Sequence, residues 1–335
     1  MSIDTAAPRT GRASTPTDLP HWTRLGHVFR PDNSLDWMQD YATTPTALLL
    51  DDRIRVFFST RGARDGAGNF VSQTTFVDVD RIDPTRVLAV GDRPLIDVGS
   101  PGSFDEFGIM VAEAVAVGDR TFLYYMGWQR TTTAPYLVQL GLAVADRDGT
   151  AFEKISEGPV LGVHRLDPWG IGNVCVRSQG ERFEMTYTSF LPWTHGDDGW
   201  SPRYELRRAT SDDGVDWERE DATVLAPTHP REALATPAIW RHGSRQHLWF
   251  SARAATAEGG HGAYRIGHAV ADDDGTWIRD DRGGLGPGAA GWEREATCYP
   301  ALIEVDGRLL AFYCGDGFGH TGFGVAEITF GETNR

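Results

Sequence analysis

Six acidic residues sit at short, nearly repeating distances ahead of apolar runs. Asp40, Glu232 and Glu295 each stand five residues before Pro45, Pro237 and Pro300, where such runs open. Asp105 and Glu106 stand eight and seven residues before Glu113, and Asp167 six before Asn173, the corresponding positions of two further runs. Carboxylates gathered at one mouth raise one another's pKa and divide into protonated and ionised members. That split is what acid–base cleavage of a glycosidic bond uses. Asp40, Asp105, Glu232 and Glu295 are therefore the candidate catalytic groups, with Glu106 and Asp167 as candidate substrate contacts. The plainer reading makes each one a cap or a solvated loop charge in an acidic protein.

A second set of residues closes the strand that follows each run: Arg61, Trp128, Phe190, Arg253 and Asp316. Arg61 and Arg253 occupy matching positions. They could grip a carboxylate, a phosphate or a sugar hydroxyl through paired N–H donors, or simply neutralise nearby carboxylates. Trp37, Trp128, Trp193 and Trp292 are candidate surfaces for stacking a sugar ring. Arg61, Trp128, Arg253, Asp316 and Trp37 complete the expected substrate-binding set.

The elements that would carry these residues repeat. WEREATCYPALIEVDGRLLAFY (292–313) reads as a polar lead-in, an apolar run, an Asp-Gly turn and a second apolar run, the pattern of a β-hairpin. Pro300 is expected as the first residue of its strand, where a missing N–H costs no ladder bond. Similar hairpins begin near positions 45, 113, 173 and 237, so the spacings are 68, 60, 64 and 63 residues. After the hairpins come AVADRDGTAF, ATSDDGVDW and AVADDDGTW, each a strand, an Asp/Gly turn and an aromatic that starts another strand. Four strands in each of five units predict an all-β, five-bladed β-propeller. The fifth unit stops after its third strand, and HWTRLGHVFRP near the N-terminus matches the missing fourth, with Trp22 aligned to Trp217 and Trp277. The N-terminal strand is therefore expected to close the ring, protecting an edge that would otherwise pair with other chains.

Composition bounds the rest. The 335 residues read as a Ser/Thr/Pro-rich disordered tail over 1–18 and a single propeller domain over 19–335. With 32 basic and 47 acidic side chains the net charge is −15, which argues against nucleic acid or an anionic membrane as partner. The expected partner is a small carbohydrate or glycoconjugate. No apolar leader or membrane-spanning run is present, so a cytoplasmic protein is expected. Cys175, Cys298 and Cys314 read as small core residues in a reduced compartment. His164, His261 and His320 lack metal-site spacing, and the Asp/Gly turns lack the ligand spacing of a calcium loop, so neither metal nor cofactor is expected.

The blade grammar resembles the five-bladed propeller glycosidases: arabinanases and xylosidases, invertases and levansucrases, and the mannoside phosphorylases. The likeness runs from about residue 22 to 330 and rests on GLAVADRDG, ATSDDGVDW, FDEFGI, YRIGHAVADDDGTW and FGHTGFGVAEI. It implies a glycoside hydrolase-like activity with Asp40 as base or nucleophile and Asp105 as the carboxylate that positions it. The family's blade-three glutamate has no counterpart, because Asn173 stands there, so Glu232 or Glu295 would have to serve as the acid. Two alternatives follow: a non-catalytic carbohydrate-binding propeller, and a phosphorylase that holds phosphate with Arg61, Arg253 or a histidine.

Overall fold

The computed structural model describes residues 19–64, 66, 68–180, 182–196, 199–254 and 263–331. The tail expected over 1–18, and His261, lie outside them. Twenty strands among the described residues form five antiparallel four-stranded sheets, the blades of a five-bladed β-propeller. Blade one is β2 (Asp40–Leu49), β3 (Arg53–Arg61), β4 (Ser72–Asp80) and β5 (Val87–Val90). Blade two is β6 (Ile109–Val117), β7 (Arg120–Arg130), β8 (Tyr136–Asp146) and β9 (Glu153–Lys154). Blade three is β10 (Ile171–Gln179), β11 (Arg182–Gly196), β12 (Gly199–Ser211) and β13 (Glu218–Leu225). Blade four is β14 (Glu232–His242), β15 (Arg245–Ala254), β16 (Tyr264–Ala271) and β17 (Trp277–Arg279).

Blade five takes β18 (Cys298–Val305), β19 (Arg308–Cys314) and β20 (Phe323–Phe330) from one end of the chain and β1 (Pro20–Phe29) from the other. Trp22 pairs with Ile328 and Arg24 with Ala326, so the N-terminal strand closes the ring as its fourth strand. Large side chains of the second strands pack between blades. Tyr124, Tyr125, Tyr187, Trp249 and Phe312 are wholly buried, and each such side chain contributes about 1.5–3 kcal/mol by leaving water. The three cysteines are free and buried, as expected of core residues.

One irregularity recurs in every inner strand. The register slips between Thr43 and Thr46, Val111 and Glu113, Ile171 and Val174, Ala235 and Ala238, and Cys298 and Ala301. Pro45, Pro237 and Pro300 fall inside these bulges, which corrects the expectation that Pro300 begins its strand; a bulge tolerates the missing N–H equally well. The residue before each proline, Thr44, Thr236 or Tyr299, has φ near +50° to +57°. That region is rare for any side chain and rarer for a β-branched one. Amides at three of the bulges are met by hydroxyls on the preceding blade: Val111 by Ser59, Thr236 by Thr188 and Tyr299 by Ser251. Neighbouring blades thus hold three of the five bulges in place near one end of the axis.

Candidate functional site

At this end of the axis lies a cavity of about 280 Å³. The bulges supply Thr43, Thr44, Asn173 and Tyr299 to its floor, and the ends of the second strands supply Arg61, Met126, Trp128, Phe190 and Arg253. β11 and β12 are the longest strands among the described residues, at 15 and 13 residues, and carry Trp193 and Trp200 to the cavity. The result is an aromatic wall on blades two and three. Tyr136 lies 4.5 Å from Trp128 and 4.9 Å from Trp193, and Phe190 lies 4.5 Å from Tyr204, between ring centroids.

Blade one faces that wall with charge. The Arg61 guanidinium is packed over the rings of Tyr41 (4.1 Å) and Phe70 (5.0 Å). Burial holds its pKa below the ordinary arginine value, though an arginine stays charged at any physiological pH. Asp40 lies beside it, paired across the strand at the backbone. Its Oδ1 accepts from the Tyr41 amide at 3.0 Å and faces His320 Nε2 at 3.3 Å. On blade four, Arg253 is buried and donates to the Pro202 carbonyl at 2.9 Å.

Of the sequence-expected residues, Arg61, Trp128, Phe190, Trp193 and Arg253 line this cavity; Asp40 does not, but pairs across the strands with Arg61, which does. The remaining carboxylates do not line it. Asp105 is 1% exposed and receives Lys154 Nζ at 2.6 Å, Ser103 Oγ at 2.8 Å and the Tyr125 hydroxyl at 3.3 Å. Asp167 receives Arg219 Nε at 2.8 Å, Ser189 Oγ at 2.6 Å and the Tyr187 hydroxyl at 3.1 Å. Glu232 pairs with Arg279 at 2.8 Å and takes the Thr228 amide at 2.7 Å. Glu293 repeats the arrangement in blade five with Arg24 Nε at 3.0 Å and the Tyr313 hydroxyl at 2.8 Å. In these four blades an acid ahead of the inner strand is bound by a base on the outer strand, and in three a second-strand tyrosine joins it. Burial, with help from the adjacent carboxylate, pushes the phenols of Tyr125, Tyr187 and Tyr313 upward, so they remain donors.

The other expected residues have local duties. Glu106 accepts the Gly102 amide at 2.7 Å, and Asp316 accepts the amides of Arg294, Glu295 and Ala296 at 2.8–3.2 Å. The Glu295 side chain is exposed. Trp37 packs into the core between blades one and five, and Trp292 lies 5.3 Å from Tyr313, so neither offers a free face to the cavity. Asp105 and Glu232 are thus held within inter-strand ion pairs, which removes the geometric ground for an acid–base role at the mouth. Glu113 lines the opposite end of the axis with Cys175 and Arg177. Its carboxyl is pushed up to about 8 by burial and accepts Thr46 Oγ1 at 3.0 Å.

Sequence reasoning missed Tyr136, Trp200, Tyr204, Tyr264 and Tyr299 as cavity residues, and His320 as the partner of Asp40. Among the described residues no group of three or more His, Cys, Asp or Glu could hold a metal ion, and no helix is long and apolar enough to cross a membrane.

No known family profile matches the chain. Among solved structures it is similar to a glycosyl hydrolase from Bacteroides ovatus, with 14% identity, TM-score 0.70 and coverage of 95% of this chain and 96% of that one. It is equally similar in shape to a structure from work on the GH130 family of mannoside phosphorylases, which contains glycoside hydrolases that target β-1,2 mannosidic linkages in Candida mannan (12% identity, TM-score 0.70, covering 94% and 95%). At such identities these likenesses establish the propeller fold. The uncharacterized protein MT1551 of Mycobacterium tuberculosis is 31% identical over 310 residues, spanning 92% of this chain and 99% of that protein. A match of that depth along almost the whole of both chains makes this protein a member of the MT1551 family, whose fold is here a five-bladed β-propeller.

Proposed function

We propose that the cavity binds a glycoside and that Asp40 is the carboxylate that acts on the glycosidic bond. The observation that carries this reading is the pairing of an aromatic wall with a charged rim across one small cavity. Flat rings take the apolar face of a sugar, while Arg61, Arg253 and the bulge residues take its oxygens. The shared fold with glycoside-active propellers supports it. His320 and the Tyr41 amide orient the Asp40 carboxylate beside the mouth, where it can exchange a proton with a bound sugar.

A second reading, a carbohydrate-binding protein without turnover, is favoured by a specific observation. Hydrolysis uses two carboxyls about 5–5.5 Å or about 6.5–9.5 Å apart, whereas Asp105, Asp167 and Glu232 are committed to ion pairs. One experiment separates the readings: wild type and Asp40→Asn are given a panel of aryl glycosides, with and without phosphate, and binding is measured in parallel. Turnover that falls roughly 10²- to 10⁴-fold in Asp40→Asn while binding persists supports catalysis by Asp40. Binding without turnover, unchanged by the substitution, establishes the binding protein. Turnover that requires phosphate makes the reaction phosphorolysis.

A further inference from the structure

The polar groups that the cavity leaves unmatched are almost all donors. Among the described residues nine buried side-chain nitrogen or oxygen atoms have no protein hydrogen-bond partner, and four of them, Arg61 Nε, Trp128 Nε1, Asn173 Nδ2 and Thr43 Oγ1, belong to side chains that line the cavity. Asn173 is 7% exposed and Thr43 2%. An unmatched buried donor costs about 1–3 kcal/mol, so four around one cavity describe a site completed by its ligand. A neutral sugar presents hydroxyls that both give and accept, and it needs acceptors in return. Arg61 and Trp128 can only donate, and no carboxylate is among the described residues lining the cavity. Two guanidiniums also line it, in a protein whose net charge is −15. Such a local reversal of sign attracts an anion and holds it by charge-assisted hydrogen bonds.

We propose that the ligand of this cavity carries an oxyanion of the carboxylate or phosphate kind, received by Arg61 with Asn173, Trp128 and Thr43, while its ring lies on the Tyr136–Trp193 wall. This rests on the glycoside reading and adds the charge of the ligand to it. The oxyanion has two possible sources, the sugar itself or a free phosphate beside it, and the recognition chemistry is shared.

The test is calorimetric titration of the full chain with matched pairs of phenyl glycosides and phenyl uronides in several sugar configurations. Hexose 1-phosphates and inorganic phosphate are titrated alongside. The expected result is at least about tenfold tighter binding of the charged member of a pair, the size of one charge-assisted hydrogen bond. Arg61→Gln should bring the pair within about threefold of each other, and Arg61→Lys should keep part of the preference; unchanged melting temperatures confirm that both variants fold. Tightening by the uronide or the sugar phosphate places the oxyanion on the sugar. Phosphate that raises affinity for a neutral glycoside makes it a separate co-ligand. Neutral glycosides that bind as well as charged ones, with no phosphate effect, overturn this inference and leave the glycoside reading standing. Phosphate binding with no sugar bound overturns the glycoside reading, and the absence of any binding overturns both.

Discussion

The rim of the disc and the mouth of its axis use the same residue types to opposite ends. At the rim, Asp105, Asp167, Glu232 and Glu293 are each tied to Lys154, Arg219, Arg279 or Arg24 on the outer strand of their own blade. Each of the four acids has a cationic partner, and three of them also take a tyrosine hydroxyl. At the mouth, Arg61, Trp128, Asn173 and Thr43 leave donors unmatched beside strained bulges. A buried charge that is fully partnered fixes the position of strands. A buried donor without a partner costs stability, and its persistence points to a ligand. In this molecule the state of the partners, not the identity of the residue, distinguishes the four acids of the rim from the four donors of the mouth.

The rim should be the more fragile region, and its weakest point is the strand borrowed from the N-terminus. Removing residues 1–31 takes away β1, bares the β20 edge, and deprives Glu293 of Arg24. The expected outcome is loss of cooperative folding and aggregation, followed by light scattering and thermal melts. Removing residues 1–18 leaves β1 in place and should change neither measurement. A soluble 32–335 chain with a sharp transition would show that β1 does not hold the ring.

Single latches should come next in effect. Asp167→Ala leaves Arg219 and the Tyr187 hydroxyl without their buried acceptor and should cost about 3–5 kcal/mol, read from urea unfolding. Glu232→Ala should do the same to Arg279, and sugar binding should persist in whatever fraction folds. Arg61→Gln should change stability by under about 1 kcal/mol while abolishing the preference for charged ligands. If Glu232→Ala spares stability and destroys turnover, the division between rim and mouth is drawn in the wrong place.

Blade four holds a buried polar pair that belongs to neither region and should respond to pH. His247 Nδ1 lies 3.0 Å from His268 Nε2, and His268 Nδ1 lies 3.2 Å from the Asp280 carbonyl. That carbonyl can only accept, so His268 carries its proton on Nδ1 and receives the one on His247 Nδ1. Trp249 and Phe330 cover the rings, and His242, Arg245, Asp280 and Asp281 are the charged or titratable neighbours. Burial lowers His247 to about 3 and His268 to about 4. The unfolded chain therefore takes up protons first as pH falls below about 6.5, and stability drops from there down to about 3–4. By pH 5 each ring costs about 2 kcal/mol relative to pH 8. Urea midpoints at the two pH values test this, and His247→Gln should lessen the difference.

Most of the fold was legible because hairpins, Asp/Gly turns and the Trp22 match are local patterns with one geometric meaning. The site was legible only in part. Arg61, Trp128 and Arg253 line the cavity because the end of a second strand has few places to go except the mouth. Asp105, Asp167 and Glu232 meet bases of the outer strands and do not line the cavity, because distance from a strand sets depth in the disc and not the side of the blade that a side chain meets. The correcting signal was present in Trp22-Thr23-Arg24, Phe152-Glu153-Lys154, Trp217-Glu218-Arg219 and Trp277-Ile278-Arg279. A base two residues after each outer-strand aromatic, in step with the acids, marks a partner for them. Half of the aromatic wall, Trp128, Phe190 and Trp193, is legible in the sequence; Tyr136, Trp200 and Tyr204 escape notice because they come from third strands, Tyr136 on β8 and the other two on β12.

The smallest expected effect is the most diagnostic, because its two halves have opposite signs. Trp128 Nε1 is buried and unmatched, whereas the Nε1 of Trp249 donates to the Gly283 carbonyl at 3.0 Å. Phenylalanine at either position keeps most of the apolar ring and removes the donor. At Trp249 the change removes one of the two indole bonds to the Gly283 carbonyl, which keeps Trp22 Nε1 at 3.0 Å, and opens a small void, so stability should fall by about 1–3 kcal/mol with ligand affinity intact. At Trp128 no bond to a protein acceptor is lost, and stability should hold or rise slightly. Affinity should fall instead, by about 3- to 10-fold, the size of one neutral hydrogen bond made only when the ligand is present. Melting curves and titrations of the two variants side by side read both signs. A Trp128→Phe protein that loses stability and keeps its affinity would show that this indole is a core residue at the edge of the cavity, and that the unmatched donor is no mark of a ligand.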